Sequence, residues 1–331
     1  DTLIGENEVT SLDPDTKSLL KGDPLRGAHA YYAGSHREWW APLRPGTRVT
    51  RRNALVGVHD KSSEFADRTV HEWTGEVFAA PDHVLSAQYR LMIRTDRRAV
   101  EAKGDATKYA GVEIEPYTDE QIEEIEAACV AEPARRRGAE PRWFEDVEEG
   151  DEVTPLVKGP MRVTDVVVWH TGMGMGLYGV KALGLAHRQR QRMPGFFRRD
   201  DLNIPDVHQR VHWDQEWARR AGNPAVYDYG RMRETWLVHL CTDWMGDDAW
   251  LWKLDVEFRR FNYVGDTHWM RGRVVRKYLA EGDRPAVDLE IGGENQRGEV
   301  TCPGHATILL PSREHGGVRL PDPPGGATTC T

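Results

Sequence analysis

Two segments of this chain carry the same pattern at an offset of 219 positions, the step from Ser35 to Leu254. SHREWWAPLRPGT (Ser35 to Thr47) aligns with LDVEFRRFNYVGD (Leu254 to Asp266), setting Glu38 against Glu257, Trp39 against Phe258 and Gly46 against Gly265. Downstream, Val70 to Leu91 resembles Val287 to Ile308. An internal repeat constrains topology more than composition does, because both copies must bury the same face in the same way. The repeat predicts two copies of one α+β unit, each an antiparallel sheet around a helix. A chain of 331 residues holds two such units at roughly 150 residues per domain. The copies are unequal. A strong amphipathic helix stands before the second repeat, whereas only loop-like residues precede Ser35, so the first copy lacks an opening strand and central helix. The chain begins at Asp1 instead of Met, and the expectation is that the missing elements belong to a lost beginning.

The periodicities fill in this outline. β-branched and aromatic residues predict strands near 33–40, 47–59, 68–78 and 83–93, with Arg44-Pro45-Gly46 as a hairpin-like turn between the first two. Thr118 and Asp119 can cap a helix with Ile122, Ile125, Ala128 and Cys129 on one face, stopped at Glu132-Pro133. Asp165 to His170 can begin a helix. Met232, Trp236, Leu237, Leu240 and Trp244 recur at helical steps over Gly230 to Trp244, and strands follow near 251–263, 267–278, 286–295 and 299–310. The implied organisation is an N-terminal half over 1–96, a helical linker over 97–140, a C-terminal half over 141–313 and a disordered tail over 314–331.

Composition narrows the function classes. A net charge of -9, with arginines interspersed among acids, gives no nucleic-acid footprint. No apolar run reaches the roughly 18 residues that cross a bilayer. The four cysteines, Cys129, Cys241, Cys302 and Cys330, show neither CxxC spacing nor a disulfide framework. A soluble cytoplasmic protein without nucleic-acid or membrane partners is expected.

The chemistry-bearing segment is VHWDQEWARRAG (Val211 to Gly222), followed by NPAVYDYG and the amphipathic helix. It resembles the MaoC-like (R)-specific enoyl-CoA hydratase and dehydratase family, whose motif runs Asp, any, Asn, Pro, aliphatic, His, then five residues to a small one. Val211, His212 and Ala218 match. Val207 stands at the family's aspartate, and Gln209 and Arg210 replace its Asn and Pro, with Asp206 one position out of register. EDVEEGDEV (Glu145 to Val153), VGDT (Val264 to Thr267) and ENQRGEV followed by GHATILL extend the resemblance. It spans about residues 30–96, similar to a FAS1-like dehydratase half, and 141–313. The resemblance implies an α+β double hotdog with two antiparallel sheets joined into one. It also implies an acyl-CoA thioester as substrate, coenzyme A being part of that substrate, no metal or other cofactor, and a homodimer or hetero-oligomer.

Adding water to a 2-enoyl thioester needs a base for the water, an acid for the α-carbon and donors for the enolate oxygen. The resemblance assigns Asp206 as water activator and His212 as proton donor, with His208 as the alternative partner. Gly230, opening the helix, supplies an oxyanion amide beside Tyr229, where exposed amides and the helix dipole suit an anion. Asp214 reads as a helix cap, and Asp247-Asp248 as a solvated turn in preference to a metal site. Lys181, His187, Arg188, Arg190, Arg192, Arg198 and Arg199 form a solvated loop or meet coenzyme A phosphates. Seven of the twelve tryptophans lie between Trp213 and Trp269, as core or as the lining of an acyl tunnel. Two rival readings remain open at this point: a hotdog thioesterase, and a catalytically silent acyl-CoA-binding subunit.

Overall fold

The computed structural model describes residues 28–63, 67–96, 111–173, 183–192 and 194–324. Four strands come from the first half: β1 (His29–Trp39), β2 (Thr50–Ser63), β3 (Asp67–Ala79) and β4 (Val84–Thr95). A linker helix α1 (Asp119–Arg135) follows, and the second half opens with β5 (Glu152–Lys158). Helices α2 (Val163–Gly172) and α3 (Leu183–Arg192) lead to a two-stranded ribbon of β6 (Phe197–Arg199) and β7 (Pro205–Val207). Helices α4 (Gln215–Arg220) and α5 (Gly230–Met245) precede β8 (Trp250–Glu257), β9 (His268–Ala280), β10 (Arg284–Asn295) and β11 (Val300–Leu309).

Nine strands form one antiparallel sheet in the order β2-β3-β4-β1-β8-β11-β10-β9-β5. The order is symmetric about the β1–β8 junction, where β4 matches β11, β3 matches β10 and β2 matches β9. The junction register puts His36 opposite Asp255, the residue the repeat assigns as its own counterpart. A pseudo-twofold axis therefore passes through that pair, and the two copies join edge to edge as a double hotdog. Neither β5 nor α5 has a first-half counterpart among the described residues.

Helix α5 is the axis of the second half. Leu237, Leu240, Cys241 and Trp244 pack with Leu254, Val256, Met270, Leu289, Ile291 and Ile308 in one continuous core. Helix α1 starts at Thr118, whose hydroxyl accepts from Gln121 N–H while the Gln121 side chain accepts from Thr118 N–H, a capping box. It runs past the predicted stop at Pro133 to Arg135. Pro133 falls in the last turn, where few hydrogen bonds remain to be lost.

Two expectations are corrected here. The turn at Arg44-Pro45-Gly46 exists, with Thr47 N–H donating to Arg44 O at 3.1 Å and Gly46 at φ 81°. It does not make a hairpin, because β4 and β8 occupy both edges of β1 and the chain must cross to pair β2 with β3. Residues 314–324 of the expected disordered tail are placed, with Glu314 N–H bonded to Ser312 Oγ at 3.1 Å and Arg319 donating to Asp283 O at 2.8 Å. Of the expected loop at 1–30, residues 1–27 lie outside the described residues, and His29 and Ala30 open β1, which starts four residues before the predicted strand. Among those described, no helix is long and apolar enough to cross a membrane.

The junction carries a pH signature. His36 Nδ1 meets Asp255 Oδ2 at 2.5 Å and its Nε2 meets buried Glu38 at 3.4 Å. Burial alone would lower its pKa, but the bonds to Asp255 and Glu38 win and raise it to about 9. A raised folded-state pKa stabilises fully below the unfolded value of 6.5 and is lost as pH climbs through about 9. The melting temperature is expected to decline across that window. Replacing Asp255 by Asn should flatten the decline in a thermal scan, and an unchanged slope would remove the pair from the account.

Candidate active site

The loop between α3 and α5 positions the chemistry. Residues 208–212 form a short helical turn, and Asp214 caps α4 by accepting from Trp217 N–H at 2.9 Å. This brings His212 under the start of α5. Its Nδ1 lies 2.8 Å from Tyr227 O, and its ring centroid is 3.8 Å from that of Tyr229 and 4.8 Å from that of Tyr227. A carbonyl only accepts, so Nδ1 carries the proton, and a neutral ring then has its lone pair at Nε2. Burial is the main cause that lowers the His212 pKa to about 3, opposed by the Tyr227 carbonyl and reinforced by nearby His170. Part of the side chain still reaches the surface.

His170, which sequence reasoning left inside a helix, completes the cluster. Its Nδ1 is 2.6 Å from the Tyr229 hydroxyl, its Nε2 is buried without a hydrogen-bond partner, and Trp213 meets its ring edge at 5.5 Å. Burial lowers its pKa as well. Trp169 stacks on Tyr229 at 5.4 Å. The sequence signal was weak, since an imidazole among valines reads as a core residue.

Asp206 has partners of its own. Asp206 sits on β7, accepts from Val207 N–H at 2.6 Å and lies 3.9 Å from Arg210. No hydrogen bond or ion pair joins it to His212 among the described residues. Arg210, at the family's proline position, is buried with its guanidinium 3.6 Å over the Trp217 ring. His208 lies against His29 and Trp217, with ring centroids 6.1 and 6.0 Å away.

Tyr229 is the N-cap residue of α5 and Gly230 its first residue. A Cβ on Gly230 would come 3.2 Å from both the Tyr32 carbonyl oxygen and the Tyr32 ring, so glycine lets the helix start abut β1. The first helical N–H groups have no intrahelical acceptors and point out of the helix end. Behind them Asp228 anchors the turn: Oδ2 accepts from Arg233 Nε at 2.8 Å and Asn262 Nδ2 at 3.0 Å, and Oδ1 from Arg233 Nη2 at 3.2 Å.

The other candidates fall outside this centre. Arg188, Arg192, Arg198 and Arg199 are exposed, as are Asp247 and Asp248 at the end of α5, while Lys181 lies outside the described residues. Glu132, His239 and Asp243 bring three potential ligand atoms within 4.8 Å of one another. Lys158 at 3.4 Å from Glu132 and Arg136 at 3.3 Å from Asp243 already neutralise the carboxylates, and the group ties α1 to α5.

No known family profile matches the chain, and no curated protein sequence does. Solved structures do match: a MaoC-like dehydratase superposes with a TM-score of 0.53 at 15% identity, covering 85% of this chain and 75% of that one. The chain has the fold of a MaoC-like dehydratase. A MaoC-like dehydratase from Phytophthora capsici matches at 12% identity and a TM-score of 0.43, over 87% of this chain and 73% of that one. HtdX from Mycobacterium tuberculosis matches at 14% identity and a TM-score of 0.42, over 90% and 84%. In this MaoC-like fold, the His212 loop and the start of α5 face β1 of the other half.

Proposed function

We propose that the chain is a hydratase and dehydratase interconverting a 2-enoyl-CoA and a (R)-3-hydroxyacyl-CoA. Fold alone does not carry that step, since one fold hosts many activities. The observation that carries it is the setting of His212: its Nδ1 donates to Tyr227 O, burial disfavours its charged form, and its ring packs on Tyr229, the residue that caps α5. This changes the role assigned to His212 from donor to base first and donor second.

In hydration Nε2 takes a proton from water as the water oxygen bonds to the β-carbon. The C=C electrons move to the thioester, whose oxygen becomes an enolate held by the Gly230 N–H. The imidazolium then returns its proton to the α-carbon, so one water is added and the enzyme is restored. One group serving both steps compensates for Asp206 facing Arg210. Coenzyme A enters as part of the substrate, and the chemistry balances without a metal or redox cofactor. The Tyr229–His170 bond fixes the wall against which the imidazole stacks.

Mass spectrometry of the purified full chain with a 2-enoyl-CoA tests this reading. The expected product is heavier by one water with no free coenzyme A thiol. Release of thiol would make the protein a thioesterase. The Arg210–Asp206 contact at 3.9 Å favours a second reading, a silent acyl-CoA-binding subunit, and tight binding without either product would establish that instead.

A further inference from the structure

The face of the first half that corresponds to the α5-covered core is charged. Matched through the pseudo-twofold, Ser35 and Arg37 on β1 stand where Leu254 and Val256 stand on β8. On β3, Thr74 and Glu76 replace Leu289 and Ile291, and on β4 Arg90 replaces Ala306. The second-half residues are all buried apolar groups. That the first-half residues share the inner face is fixed by contact with α5: Glu234 accepts from Ser35 Oγ at 2.9 Å and Tyr32 Oη at 3.1 Å, and pairs with Arg37.

The charges there do not balance. Arg37 pairs with Glu234, and Arg51 and Arg90 share Glu76, Arg90 at 3.3 Å. Arg231, the second residue of α5, has no carboxylate partner among the described residues and lies 5.2 Å from the Tyr32 ring centroid. Among the described residues, Arg37, Arg51, Arg90 and Arg231 thus have Glu234 and Glu76 between them, with Arg94 and Glu72 paired beside them at 3.3 Å. Arg90 Nε and Arg231 Nη2 are both buried without a hydrogen-bond partner. Burial lowers the Arg90 pKa; Glu76 opposes this, while the positive charges of Arg231 and Arg51 add to the lowering. Buried donors without acceptors are costly, and guanidiniums in surplus suit a planar or tetrahedral anion.

We infer that Arg90 and Arg231 form a binding site for an anionic group of the thioester substrate, adjoining the Gly230 helix start across Tyr32. The inference rests on the acyl-thioester reading above and adds to it that the substrate carries a negative charge this cluster neutralises. Two parts of such a substrate supply that chemistry: a carboxylate at the far end of the acyl chain, and the phosphates of the coenzyme.

Calorimetric binding of unreactive saturated thioesters tests the site without turnover. The probes are butyryl and glutaryl esters of coenzyme A and of N-acetylcysteamine, which lacks phosphates. With an acyl carboxylate as the ligand group, glutaryl esters bind about tenfold tighter than butyryl esters on either carrier, the scale of one charge-assisted contact. With the phosphates as the group, both coenzyme esters instead outbind both N-acetylcysteamine esters. In either case Arg90→Gln and Arg231→Gln erase the preference and Arg90→Lys retains part of it. Arg231→Gln carries the test if Arg90→Gln fails to fold. Preferences unchanged in the Gln variants, or no preference in the native chain, overturn the inference. Binding that obeys the pattern in a protein that adds no water would sink the hydratase reading and leave this site standing.

Discussion

Replacing His212 with Ala is expected to lower the hydration rate by about 10²–10⁴-fold, the span of a lost general acid–base group. The same change also removes the hydrogen bond to Tyr227 O and a ring packed on Tyr229 and Tyr227, so a thermal scan of the variant separates lost chemistry from lost fold. The pH profile separates His212 from an ordinary histidine. With its pKa held near 3 by burial, the free enzyme keeps a neutral base throughout pH 5–8, so kcat/KM should show no acidic limb near 6.5. A weak base in the resting protein gains proton affinity as enolate charge develops beside it, since an adjacent anion favours the imidazolium. A limb near 6.5, or a rate in the Ala variant within about threefold of native, would assign the chemistry to another group. Tyr229→Phe is the companion measurement: it removes the hydroxyl that engages His170 Nδ1 at 2.6 Å while keeping the ring against His212.

The site was half legible in the sequence. His212, Tyr229 and Gly230 lie within one local stretch that resembles a known motif, and the structure brings His212 against Tyr229 at the helix start. His170 was not legible, because its partner Tyr229 is 59 positions away and nothing local distinguishes a buried imidazole that bonds a tyrosine from one that fills space. The motif's departure at position 210 bears on Asp206. With Arg in place of Pro at 210, a buried guanidinium lies 3.9 Å from the Asp206 carboxylate, a contact the motif alone does not announce.

The fold was legible where periodicity and repetition agree. The repeat located the twofold, since His36 and Asp255 are matched in sequence and opposed in the ladder. Strand existence followed from alternation, but strand neighbours did not. A turn such as Arg44-Pro45-Gly46 specifies a reversal of direction and says nothing about which strand already occupies the adjacent edge. The repeat also concealed a difference: its alignment sets Glu76 against Gly293 and Arg90 against Thr307, whereas the ladders match them, with Arg37, to Ile291, Ala306 and Val256.

Asp228→Ala is expected to have the largest effect on stability, about 3–5 kcal/mol, the cost of leaving one member of a buried ion pair alone. Asp228 and Arg233 are 2% and 3% exposed, and the carboxylate takes two bonds from the guanidinium and one from Asn262. Burial raises the Asp228 pKa and the Arg233 charge opposes it, so removing the carboxylate strands a guanidinium that also donates to Arg260 O at 2.8 Å. The lost contacts reach the site, because Asp228 N–H bonds Asn262 O at 2.9 Å and immediately precedes Tyr229. Denaturant unfolding should report the loss as a lower midpoint at unchanged slope. The double variant Asp228→Ala with Arg233→Met should recover part of it by removing the orphaned charge. A single variant within about 1 kcal/mol of native would mean that Arg233 is not stranded when the carboxylate is lost, and the pair would not be what anchors the turn.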